Sequence, residues 1–168
     1  MDAEEPRIEI RRSTRRRRTI SARREGNTTI LMVPAGLSEA EVQKEARDLG
    51  AKLDAKAAAR RGPISDDALM LRARELSDLY LEGRAVPTSV RWVTNQNHRW
   101  GSCTPATGVI RLSHRLQKMP DYVVDDVLLH ELAHLLVAGH GPRFRELERR
   151  HPHHERAAGF LEGVSWRQ

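Results

Sequence analysis

The feature that most constrains this chain is a largely apolar helical run over residues 121–138 that carries His130, Glu131 and His134. Pro120 precedes it, and proline suits the first turn of a helix. The apolar residues Val123, Val124, Val127, Leu128, Leu129, Leu132, Leu135 and Leu136 fall on almost every side of the helical wheel. A helix of that kind is expected between other layers rather than on a surface. Two imidazoles and a carboxylate are costly there unless something engages them. Spaced as HExxH, His130 and His134 lie one turn apart on one face and can grip a single ion. Glu131 sits about 100° round the axis and flanks the open side of such an ion, where a water would stand.

A catalytic zinc takes three protein ligands and keeps a fourth position open, so a third ligand is needed. His140 is the leading candidate. On a continuous helix it would stand about 15 Å along the axis from His130, too far to converge. Gly139 is the natural break, because a glycine past the last turn takes the left-handed conformation at little cost. The full spacing HExxHxxxxxH equals that of the metzincin signature, but Val137 occupies the place of its glycine, which argues against a true metzincin. His98, His114, His151, His153 and His154 read as surface or satisfied polar residues rather than ligands. Asp126, one turn before His130, reads either as an acceptor that orients an imidazole or as an ordinary helix-surface acid.

The rest of the chain supplies a frame. Residues 7–12, 18–24 and 28–33 look like short strands, the last two joined by a turn at Glu25, Gly26 and Asn27, and together predict a small antiparallel sheet. Ser38 and Glu41 form a capping box at the start of a helix running to about residue 61. Ser65 caps a second helix with apolar positions Leu69, Leu76, Leu79 and Tyr80, ending near Gly83 and Pro87. Residues 90–94 and 108–112 read as strands, and residues 142–150 as a short helix before a polar, His-rich tail. The expected fold is α+β and zincin-like: a small antiparallel N-terminal sheet plus helices, with a buried HExxH helix packed against a short sheet. A length of 168 residues suggests one compact unit overall, made of an Arg-rich β segment over 1–37 and a helical, zincin-like region over 38–168.

Composition narrows the functional classes. The chain has only seven aromatic residues, which weighs against a base-stacking platform. A lone cysteine, Cys103, excludes an intrachain disulfide and a Cys-rich zinc site and suggests a reducing compartment. No apolar leader or membrane span is legible, so a cytoplasmic protein is expected. The formal charge is +6, and residues 7–24 hold nine arginines against the single acid Glu9. Nucleic acid or another polyanion could bind there. Alternatively these arginines solvate edge strands and discourage edge-to-edge pairing.

The string Arg99-Trp100-Gly101-Ser102-Cys103, followed by a short strand, Pro120, HELAH, His140 and Phe144, resembles the YgjP-like metallopeptidase family, a relative of the SprT-like and WLM zinc proteases. The likeness extends more weakly back through residues 15–42 and forward to Pro152 and Leu161. It implies that His130, His134 and His140 are the zinc ligands and that Glu131 is the catalytic base. The chain departs from the family pattern at Gly141, Arg145 and Ser113, where Ser, Trp and Asn are common. Those departures leave the ligand positions intact and bear on substrate preference. In Arg99–Cys103, Trp100 is expected to pack under the site, Gly101 and Ser102 to make a turn, and Cys103 to act as a small buried hydrophobe rather than a nucleophile.

The function expected on this reading is zinc-dependent peptide hydrolysis. Zinc acidifies its bound water, and Glu131 takes the proton during attack on a carbonyl and returns it to the leaving amine. Arg99, His98 and Tyr122 are the candidates for an additional electrophile. The partner is then a peptide or protein substrate. A metal-dependent nucleotide or phosphoanhydride hydrolase is one alternative, although no P-loop or acidic two-metal cluster supports it. A nucleic-acid-binding protein with structural zinc is the other, and it leaves Glu131 without a task.

Overall fold

The structure is a computed structural model and describes residues 7–15, 17–25, 28–60 and 62–165. Two compact units are distinguished, Met1–Ala57 and Ala58–Gln168. Each builds an apolar cluster of its own, and this is the physical reason for the division.

In the first unit, strands β1 (Arg7–Ser13), β2 (Ser21–Glu25) and β3 (Thr28–Pro34) form a sheet in the order β1-β3-β2. β2 runs antiparallel to β3 as expected, but β1 runs parallel to it, so the sheet is mixed rather than antiparallel. β3 is the most apolar of the three and takes the centre, leaving the Arg-rich strands at the edges. The expected turn at Gly26 and Asn27 lies outside the described residues. Helix α1 (Glu39–Arg60) opens on the predicted capping box: the Ser38 N–H donates to the Glu41 carboxylate at 2.9 Å, and the Glu41 N–H to Ser38 Oγ at 3.3 Å. Its Val42 and Ala46 close a small core with Leu31 and Val33.

In the second unit, helix α2 (Asp66–Leu81) is capped by Ser65, whose hydroxyl accepts from the Ala68 N–H. Leu69, Ala73, Leu76 and Leu81 face the core. Leu79 lies outside that stripe and is 67% exposed, contrary to the expectation that it packs inward. Strands β4 (Ser89–Val93), β5 (Gly101–Thr104) and β6 (Val109–Ser113) form a second sheet in the order β4-β6-β5. β5 replaces the turn expected at Gly101 and Ser102, because those residues pair antiparallel with Leu112 and Arg111. A 3-10 turn over His114–Lys118 leads into α3 (Asp121–Ala133), followed by α4 (Pro142–Glu148) and α5 (His154–Ser165). The tail is therefore helical, since Ala157, Phe160 and Leu161 pack on the main cluster.

α3 is buried over residues 123–129 and 131–133 and packs against both β5 and β6. It ends at Ala133 rather than near residue 138. Two of its three buried acids, Asp125 and Asp126, are paired, as the cost of leaving a charge unpaired requires. Asp125 receives two hydrogen bonds from the Arg72 guanidinium, at 2.8 and 2.7 Å. Asp126 accepts from Nδ1 of His151 at 3.2 Å and of His154 at 3.0 Å. Both histidines are thus satisfied polar residues, as one of the two expected readings has it, and His151 is only 4% exposed. Among the described residues no helix is long and apolar enough to cross a membrane.

Candidate metal centre

Three imidazoles converge at the end of α3. His130 Nε2 lies 3.2 Å from His134 Nε2 and 3.4 Å from His140 Nε2. Nitrogens about 2.0–2.1 Å from a tetrahedral ion stand about 3.3 Å apart, so these two spacings suit a shared ion, and the donor atoms of all three rings lie within 4.8 Å of one another. Among the described residues this is the one group of three or more potential donors close enough to hold a metal, and no fourth side chain joins it. His130 and His134 are neighbours because HExxH sits on a helix. His140 arrives by a different route: the chain leaves the helix after Ala133, and Gly139 at φ 72° turns it back, as its left-handed preference allows.

Several supports come from α4, and sequence reasoning gave them no role. The Phe144 ring is fully buried beneath the triad, its centroid 4.9, 4.4 and 4.8 Å from those of His130, His134 and His140. Glu148 accepts a hydrogen bond from His130 Nδ1 at 2.6 Å. That contact orients the ring, with Nε2 toward the other two imidazoles. Arg145, one of the departures from the family pattern, donates from Nε to the His140 carbonyl at 3.2 Å and so steadies the returning segment. Phe144 and Glu148 are four residues apart on one short helix, a spacing that places both on the same face.

Glu131 lies on the flank of α3 that meets β5 and is 6% exposed. Burial raises its carboxyl to about 7, and the positive charge of Arg99 opposes that rise. The approach of β5 is so close that a Cβ on Gly101 would stand 2.5 Å from Glu131 Oε1 and 2.8 Å from its Cγ. Gly101 is thus needed for space. Cys103, further along β5, is pushed up to about 11, chiefly by burial and then by the Glu131 charge, so it stays a thiol. His134 is held below its ordinary value, first by burial and then by His130 and His140. The neutral imidazole that results is the form that binds a metal.

Other candidates sort plainly. His98 and His114 are exposed. Tyr122 packs edge-on against His153 and Phe160, with Arg156 over its ring, facing α5. Of the three proposed electrophiles, Arg99 is the one whose charge reaches Glu131. Asp126 orients His151 and His154 rather than a member of the triad. Trp100 packs against the main core and carries the Arg115 guanidinium 4.4 Å from its ring centroid.

A helix bearing HExxH, a third histidine returned by a glycine and a carboxylate against an edge strand together define a metallopeptidase-type site. The chain belongs to the YgjP-like metallopeptidase family: the family model described as "YgjP-like, metallopeptidase domain" matches residues 74–162, which include β4 to β6 and the whole triad. That membership supports a hydrolase acting on peptides or proteins with the help of a metal ion. No curated protein matches the chain. No solved structure does either.

Proposed function

We propose that this protein is a zinc-dependent peptidase in which His130, His134 and His140 hold the metal and Glu131 is the general base. The observation that carries the reading is the pairing of three converging imidazole nitrogens with a buried carboxylate on the adjacent flank of the same helix. The donor set suits zinc, which favours nitrogen ligands in tetrahedral array. Zinc bound there would polarise the scissile carbonyl and acidify a water.

The remaining steps belong to the chain. Glu131 accepts the proton of the attacking water and passes it to the leaving amine. Gly101 leaves its carboxylate room beside β5, and the Arg99 charge favours its ionised form. Glu148 accepts from His130 Nδ1 and holds that ring with Nε2 toward the other two imidazoles. β5 ends its sheet, so its outer edge offers backbone groups to an extended peptide, the usual way a strand-like ligand is held. A structural role for the metal would call for a fourth protein ligand, and none of the described residues supplies one.

The test is Glu131→Gln. Zinc stoichiometry by elemental analysis should stay at one per chain, and hydrolysis of a fluorogenic peptide or unfolded protein should fall by about 10²- to 10⁴-fold. Wild-type turnover in the variant would remove Glu131 as the base. Loss of zinc would make it a ligand and end the open-site mechanism.

A further inference from the structure

Three strand arginines of the first unit are neutralised locally: Arg11 pairs with Glu9 at 2.7 Å, Arg12 with Glu39 at 3.1 Å and Arg23 with Glu25 at 2.9 Å. Arg15, Arg17 and Arg18 are different. They are exposed on the connection between β1 and β2, and among the described residues no acid pairs with them. Protection of a sheet edge explains charges on strands, and these three lie on none.

The connection borders a cavity of about 440 Å³ lined by Arg17, the hydroxyl residues Ser13 and Thr14, and the apolar Ala35 and Leu37. Guanidinium and hydroxyl groups are phosphate donors, and the apolar wall suits a sugar. Residues 1–57 contain no Phe, Tyr or Trp, so stacking on bases is not available to this unit. We propose that the β1–β2 connection binds the sugar–phosphate backbone of nucleic acid, without regard to sequence, through Arg15, Arg17 and Arg18. Consecutive arginines match a polymer that carries one charge per nucleotide. A membrane surface fits less well, because the exposed apolar residues Ile8 and Ile10 lie on β1 and not on the connection. This inference is independent of the peptidase reading, since it uses neither the triad nor Glu131.

The experiment is fluorescence anisotropy of the full chain with labelled 20-nucleotide single-stranded and duplex DNA over 50–200 mM salt. Poly-glutamate and phosphatidylserine vesicles serve as competitors. Replacing Arg15, Arg17 and Arg18 together by Gln should lower the slope of log affinity against log salt by about 2 on single strands and nearly 3 on duplex. The double variant Arg11→Gln, Arg23→Gln, which removes as many as two charges from paired positions, should keep the wild-type slope. Circular dichroism melts establish that both variants are folded. The proposal is overturned if wild-type protein fails to bind DNA at 50 mM salt. It is equally overturned if the triple variant keeps its slope, if both variants lose the same slope per charge, or if poly-glutamate or vesicles displace DNA at lower charge concentration than unlabelled DNA does.

Discussion

Gly101→Ala is a small change with a calculable consequence. The added Cβ would stand 2.5 Å from Glu131 Oε1, 2.8 Å from Cγ and 3.0 Å from Cδ. Ordinary contact begins at about 3.4 Å, so the carboxylate has to retreat by roughly 0.9 Å or push β5 away from α3. Overpacking of this order costs about 1–3 kcal/mol of stability. The larger effect falls on rate: a displacement near 1 Å in a catalytic group is worth about 10²-fold. The three imidazoles do not touch Gly101, so metal affinity should hold. Turnover of a fluorogenic peptide, a metal titration and a urea melt on the same preparation separate these effects. Wild-type turnover and stability together would refute the close packing of β5 on Glu131. Loss of metal along with turnover would show that Gly101 supports the triad and not the carboxylate alone.

Other outcomes follow from the same geometry. Glu148→Gln removes the carboxylate that accepts from His130 Nδ1, and metal affinity measured against a chelating dye should fall about 10- to 100-fold; unchanged affinity would make the 2.6 Å bond incidental. Phe144→Ala empties the space beneath three rings and should cost about 3–5 kcal/mol, read from the urea midpoint, with a loss below 1 kcal/mol arguing against its place in the core. Between pH 4.5 and about 7 the buried Glu131 carboxyl holds a proton that the unfolded chain has released, so metal-free protein loses stability as pH rises through that window. Metal-free Glu131→Gln lacks this liability and should exceed wild type by up to about 3 kcal/mol above pH 7 and by nothing below pH 4.5. Parallel stability curves across that range would refute it.

The triad was legible because its logic is local. HExxH writes its own geometry once the segment is helical, and Gly139 marks where the chain must turn. The capping box at Ser38 and the Ser65 cap were legible for the same reason: a side chain bonds the backbone three residues away. What escaped depends on partners distant in sequence. Glu148 reaches His130 across 18 positions, and Gly101 meets Glu131 across 30. β5 is four residues long with a glycine first, too short for alternation to register. The central place of β3 follows from which strand is most apolar, a comparison among three segments rather than a pattern within one, and the parallel direction of β1 beside it is written in no single segment. α5 did leave a signal, Ala157, Phe160, Leu161 and Val164 at helical spacing, but the histidines and Pro152 before it suggested a tail.

The division of labour between α3 and α4 bears on how an ion would come and go. One ring stands on the mostly buried α3 and a second on the residue that caps its end, while the third follows the turn at Gly139 and is strapped by Arg145; Phe144 underlies the first two and Glu148 holds His130, both from the same seven-residue element. An ion bound there would meet two rings set by α3 and a third set by the segment leading into α4, so its residence would depend on the local stability of α4 as well as on the metal–nitrogen bonds.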